Sequence, residues 1–269
     1  MRETLSVGYL LARATDTIAD CSGEASSRLN LLSEFREEWF VVNDSLSGQL
    51  MERLEAIARE DGVSEGESIL MSRFSEVMGW WAQLEEEKKE ATRQVIEKIS
   101  EGQYWDVSYF TEGELTAVQT RAQVLQYCDW VAGSVGEFWT EIGFLAERYF
   151  SARSKDELCD LGRNYGRGLQ LVNILRDEEE DQERGRVYLV GKREEWAEEA
   201  ARYLQDGLTY SRALKGKRIR MASVLPALLG LETISKMRDV ESWPEKPSGK
   251  VKVTRKVARN CLWKAFWFR

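Results

Sequence analysis

Apolar residues along this chain mostly recur at intervals of three and four rather than two, the spacing that gathers them on one side of an α-helix. On that pattern, helices are expected at about 4–20, 28–60, 65–100, 114–150, 156–180, 193–213, 218–238 and 252–266. The punctuation agrees. Only Pro226, Pro244 and Pro247 interrupt the chain, and breaks fall at "CSGEAS", "EDGVSEGE", "QERGRVYLVGK" and "DVESWPEKPSGK". No fixed-period repeat and no extended low-complexity tract is visible. An all-α fold is expected, with one domain over 1–238, a linker at 239–250 and a basic, aromatic helix in 251–269.

Two of the expected helices carry paired carboxylates on otherwise apolar faces. "YLLARATDTIAD" holds Asp16 and Asp20, and "LQLVNILRDEEED" holds Asn173, Asp177 and Asp181. Four residues advance a helix by about 6 Å with only ~40° of rotation, so each pair presents its oxygens on one face. Two such helices facing each other would make a cage of hard oxygen donors. Magnesium suits such a cage, because it takes one or two carboxylates and fills its shell with water and phosphate oxygens. An arginine accompanies each pair, Arg13 and Arg176. Spacing alone leaves two readings open, a metal–diphosphate site and a buried ion-pair network. Asp156 and Asp160 show the same spacing and are expected to be an N-cap and a solvated face.

Composition narrows the chemistry. The 269 residues carry 38 Lys and Arg against 46 Asp and Glu, a net charge of −8, which argues against a broad nucleic-acid-binding face. Histidine is absent from the sequence. That removes Ser-His-Asp and Cys-His catalysis and the histidine zinc motifs. Cys21, Cys128, Cys159 and Cys261 are scattered without a CxxC spacing, and a reducing cytoplasm is the simplest setting. Neither a signal peptide nor an apolar run long enough to span a bilayer is visible.

A third stretch, "YCDWVAGSVGEFW", puts Gly133 and Gly136 inside a helical pattern, at a cost of about 1 kcal/mol each relative to alanine. Close approach of another helix would explain them. So would a kink that opens room for a long apolar ligand, with Tyr127 at its mouth.

The segments "LLARATDTIAD", "YCDWVAGSVG" and "GRGLQLVNILRDEEEDQERGRVYL" resemble the signature segments of the squalene and phytoene synthases, the head-to-head prenyltransferases. The resemblance runs from about residue 7 to 260, and the tail is most similar to bacterial squalene synthases. It implies a single-domain isoprenoid synthase helical fold with a central active-site cavity. It also implies magnesium-dependent joining of two farnesyl diphosphates to presqualene diphosphate, then reduction by NADPH to squalene. On the same footing Asp16, Asp20, Asn173, Asp177, Glu180 and Asp181 hold magnesium, and Arg13, Arg176 and Arg186 support the diphosphate. Tyr127 matches the tyrosine of proton transfer. Tyr9, Val131, Ala132, Gly133, Val135, Leu169, Gln170 and Val172 match the substrate pocket. NADPH rests wholly on the resemblance, since there is no GxGxxG fingerprint.

Two departures accompany the likeness. Family members usually carry further helices ahead of the first aspartate motif, and these are expected to be short or missing here. A proline common after the position of Arg186 is replaced by "YLVGK". Relatives that make dehydrosqualene or phytoene without NADPH, class I terpene cyclases, and non-catalytic assembly factors are the competing readings. Residues 250–269 carry seven Lys or Arg, no acid, and Trp263, Phe266, Trp267 and Phe268. That mix predicts a cytoplasmic protein with a peripheral contact at the inner membrane face.

Overall fold

The computed structural model describes residues 1–43, 46–110, 113–239 and 251–268. It is built almost wholly of helices, as the spacing predicts. The chain divides into two compact units, Met1–Tyr109 and Phe110–Arg269. Their boundary falls inside the span read as one domain from sequence, and most of the expected linker, residues 240–250, lies outside the described residues.

In the first unit α1 spans Arg2–Asp20 and buries Val7, Leu11, Ala14 and Ile18, one residue per turn. It packs against α2 (Ala25–Arg36), α4 (Glu65–Ser72), α5 (Phe74–Ala82) and α6 (Glu86–Tyr109), while α3 (Gly48–Ala56) packs on α4 and α5. Phe35, Trp39, Phe74 and Trp81 fill the core, with the Trp39 and Trp81 rings edge to face at 5.2 Å. The helices expected at 28–60 and 65–100 are each subdivided. α2 runs into a π-helical turn over Glu37–Asn43, and α3 starts afresh where the Ser47 hydroxyl accepts from the Leu50 amide. The breaks at Arg73 and at 83–85 contain neither glycine nor proline, so the periodicity carries the reading straight through them.

The second unit is organised around α9 (Lys155–Glu183), which packs against α8 (Ser134–Ala146), α10 (Arg193–Ala213) and α11 (Lys217–Arg238). Its N-cap is Ser154, boxed with Glu157, so Asp156 sits in the first turn rather than at the cap. The helix expected at 114–150 is three pieces. A two-residue strand, β1 (Thr116–Ala117), pairs parallel with β2 (Arg186–Val187). Thr120 and Gln123 then form a capping box that starts α7 (Arg121–Cys128). A π-helical turn over Asp129–Gly133 joins α7 to α8. The last helix, α12 (Arg255–Phe266), docks on α11 through Cys261 and Ala265.

α8 and α9 meet backbone to backbone. A Cβ at Gly136 would stand 1.9 Å from the Gly162 carbonyl oxygen, and one at Gly166 would stand 2.1 Å from that of Ala132. The close-approach explanation of the sequence glycines is realised at Gly136, and a π-helical turn lies just before it.

Gly136→Ala or Gly166→Ala should force the two helices apart and cost about 2–4 kcal/mol in denaturant unfolding. Gly66→Ala on α4 has nothing within 4 Å of the new methyl and should be neutral or stabilising by up to about 1 kcal/mol. Equal behaviour of the two classes would show that the glycine contact does not hold the second unit together.

Candidate active site

Within the first unit, the Asp16 carboxylate accepts from the Gln103 side-chain amide of α6 and lies 3.7 Å from Arg13. Arg13 also pairs with Glu67, which itself closes the capping box of α4 with Ser64. Burial pushes the Asp16 carboxyl up from 3.8 to about 6, against the lowering pull of Gln103 and Arg13. Hydrogen bonds from Ser64 hold Glu67 below its usual value. Asp20, one turn beyond Asp16, is exposed, and Tyr9 is 68 % exposed. No local pattern could single out Gln103, because nothing nearby in the chain ties residue 103 to residue 16.

Within the second unit, α9 carries an unusual charge pattern. Residues 177–183 are Asp-Glu-Glu-Glu-Asp-Gln-Glu, with no base in the last turn. Negative side chains at a helix C-terminus run against the macrodipole, so this end costs stability unless cations sit beside it. Arg176 grips Asp177 with two hydrogen bonds of 2.8 and 2.6 Å, Arg184 pairs with Glu180 at 2.9 Å, and buried Arg193 pairs with Glu178 at 3.0 Å. The Asn173 amide reaches Gln170 at 3.5 Å. Arg186, on β2, stands 5.9 Å from the centre of the Phe110 ring. Asp160, of the comparison pair, is solvated and 3.4 Å from Arg163.

A cavity of about 300 Å³ lies among α8, α9, α10 and α11, at the small end of ligand sites. Val131, Ala132, Val135 and Leu169 line it, whereas Gly133, Gln170 and Val172 are not among its walls. Gly133 faces Asp129 and Arg163, and Val172 is buried. Sequence reading missed Trp139, Tyr165, Tyr210, Ser223 and Pro226, which complete the wall. The signals were present in the G-xxx-G spacing of Gly162 and Gly166 and in the proline within α11.

The two tyrosine hydroxyls at the cavity wall are spoken for. Pro226 cannot donate to the Ala222 carbonyl, and the Tyr165 hydroxyl enters the disturbed turn, donating to the Ser223 carbonyl at 2.8 Å. Tyr210 shares a 2.9 Å hydrogen bond with Thr140. Burial raises both phenols, so they stay protonated. Tyr127 is not part of this wall. It is half-buried on α7 and stacks on Tyr188 at 5.3 Å.

The donor set fits a hard divalent cation in one respect and limits it in another. The residues concerned offer carboxylate and amide oxygens, and Asp16 bears a desolvation cost that a cation would relieve. Among the described residues, no three Asp, Glu, Cys or His groups converge closely enough to hold a metal by themselves.

The family profile of squalene/phytoene synthase matches residues 1–193. The chain is similar to squalene synthase of Cyberlindnera jadinii, 28 % identical over 191 residues, and to that of Saccharomyces cerevisiae, 29 % identical over 189. Each match takes in 70 % of this chain and 39 % of the relative, so the likeness spans well under half of those proteins. Among solved structures, TcSQS with the ligand E5700 has the same fold, with a TM-score of 0.71 at 18 % identity over 98 % of this chain and 78 % of the other. Squalene synthase HpnC from Alicyclobacillus acidocaldarius gives 0.54 at 15 % identity, over 88 % and 82 %.

The raised Asp16 carboxyl has a signed consequence. Between about pH 4 and 6 the folded protein keeps a proton that the unfolded chain has lost, so stability falls as pH rises through that window and the full cost stands above it. The side chain is 44 % exposed, and solvent screening holds that cost to about 1 kcal/mol. In metal-free protein, Asp16→Asn should therefore unfold later than wild type near pH 7 and at the same point near pH 4. A variant that is less stable near pH 7 would contradict this.

Proposed function

We propose, since the chain belongs to the squalene/phytoene synthase family, that it joins two farnesyl diphosphates head to head to give presqualene diphosphate, with NADPH then taking that intermediate to squalene. One observation carries the reading. The cavity face of α9, at Gly162, Tyr165, Gly166 and Leu169, lies on the same helix as Asp177 and Asp181, two turns and more beyond. A helix that is an apolar wall at its middle and an acid cluster at its end suits a ligand with a hydrocarbon tail and a metal-bound diphosphate head.

In this reading Asn173, Asp177, Glu180 and Asp181 would hold magnesium at α9, and Asp16 and Asp20 would do so at α1. Bound magnesium supplies electrostatic stabilisation of the departing diphosphate. Arg13 would add positive charge beside Asp16, and Arg176 and Arg186 beside the acids of α9. Arg13 and Arg176 already have carboxylate partners, which substrate would have to share or displace. The cavity offers few nucleophiles to an allylic cation. The hydroxyls of Tyr165 and Tyr210 are committed to the Ser223 carbonyl and Thr140, which leaves the buried Ser223 hydroxyl as the one wall hydroxyl with no hydrogen-bond partner among the described residues. The rings of Tyr165 and Tyr210 line the cavity with Trp139, and aromatic faces attract positive charge. Tyr127 would take part in the proton loss that closes the cyclopropane. No residue is assigned to the reduction, for which the family resemblance is the only support.

Incubation with farnesyl diphosphate and magnesium, with and without NADPH, followed by analysis of the extracted lipid, tests the reading. Presqualene diphosphate without NADPH and squalene with it are expected; dehydrosqualene without NADPH would assign the chain to the NADPH-independent branch. Asp177→Asn and Asp181→Asn should each lower turnover by about a hundredfold or more, while Asp156→Asn leaves it unchanged. Equal effects at 156 and 177 would remove the metal site from the mechanism.

A further inference from the structure

The polar contacts of α9 are not confined to its acidic end. Beside its cavity face, the same helix turns two arginines toward the elements that precede it. Arg167 holds both carboxylate oxygens of Asp129 at 2.5 Å each, and Arg163, one turn earlier, donates to Glu137 of α8 at 3.0 Å. Asp129 is the first residue of the π-helical turn that ends at Gly133. The middle of that turn, Val131 and Ala132, is cavity wall. The residue that opens the turn is therefore held by an ion pair, and the residues that follow it face the ligand space.

Stability alone gives this pair little reason to exist. Each side chain is 23 % exposed, and a partly desolvated ion pair returns in attraction roughly what it costs in lost hydration. What it supplies is geometry. A carboxylate held by two N–H groups of one guanidinium has a single orientation, whereas the contacts of Ala132 and Gly136 with the α9 backbone resist compression but not sliding. The arginine is itself fixed. It donates to the Asn164 side-chain oxygen at 3.2 Å, and the Asn164 amide donates to Asp206 of α10 at 2.9 Å. Room for the carboxylate comes from Gly133, where a Cβ would stand 2.7 Å from Asp129 Oδ1. That accounts for a motif glycine that is not among the cavity walls. A π-helical turn shifts the side chains that follow it, so whatever anchors its start sets where Val131, Ala132 and Val135 stand.

We propose that Asp129 and Arg167 are a positioning pair that sets the clearance between the π-helical turn and α9, and with it the length of prenyl chain the cavity accepts. Neither residue is among the cavity walls, and both act through Val131 and Ala132. The proposal rests on the prenyl diphosphate reading and adds to it the feature that discriminates among prenyl chains.

Calorimetric affinities of geranyl, farnesyl and geranylgeranyl thiodiphosphate with magnesium test it in wild type, Asp129→Asn, Arg167→Gln and the double variant. Asparagine matches aspartate in size, so Asp129→Asn keeps the packing of the turn. The readout is the ratio of the farnesyl to the geranylgeranyl affinity, which a loss of folded protein does not move because it acts on both alike. Each single variant should shift that ratio toward the longer chain by about fivefold or more, and the double variant should go no further, since breaking either half frees the turn. Arg121→Gln is the control. It removes the 2.5 Å pair with Glu199 from α7, the helix that leads into the turn, and should leave the ratio unchanged. A ratio equal in wild type and the pair variants would overturn the proposal and leave the functional reading standing. So would an equal shift in Arg121→Gln, which would make any loosening of α7 sufficient. Wild type that binds none of the three compounds would overturn both.

Discussion

The contact between the backbones of α8 and α9 is the constraint on which the second unit depends. Helices usually stand about 8–10 Å apart because side chains fill the space between their axes. At Gly136, Gly162 and Gly166 there is no room for even a methyl group, since the carbonyl oxygens of the opposite helix occupy it. Bringing two backbones so close fixes their rotation and register. It places Val131, Ala132 and Val135 on the same wall as Leu169, and the π-helical turn before α8 adjusts the approach. α10 is held against α9 in a related way, for a Cβ on Gly168 would meet Tyr203 and one on Gly207 would meet Tyr165.

The same helix then spends stability at its far end. Six acids in the last seven positions of α9 oppose the helix dipole, and Arg176, Arg193 and Arg184 answer Asp177, Glu178 and Glu180. A chain selected for stability alone would place bases there. Asp16 shows a comparable conflict on α1, where burial raises the carboxyl while Gln103 and Arg13 hold it in place. Buried or crowded carboxylates that cost stability are common where a cation or a proton must be handled. The proposed magnesium–diphosphate chemistry would give that cost a purpose.

Much of this was legible in the sequence, and the exceptions share a cause. Spacings of three and four announced the helices, and α10 begins and ends where the pattern placed it. The breaks at Arg73 and near Gln83 could not be read, because neither glycine nor proline marks them. The strand pair β1 and β2 is two residues long and joins positions seventy apart, which no local pattern records. The pocket residues read from the family motifs covered one side of the cavity. Trp139, Tyr165, Tyr210 and Pro226 lie on helices whose patterns look like ordinary core, so only the folded chain brings their roles together.

The central claim is that α9 recognises one ligand with two parts of itself, the tail with its apolar middle and the head with its acids. The calorimetric affinity of farnesyl thiodiphosphate, whose bridging sulfur resists ionisation, tests it with and without magnesium in three proteins: wild type, Asp177→Asn with Asp181→Asn, and Val135→Trp. Magnesium should tighten binding to wild type by about tenfold or more, the double variant should lose that gain, and Val135→Trp should weaken binding whether or not magnesium is present. An affinity indifferent to magnesium, or one unchanged by filling the cavity at Val135, would contradict the account.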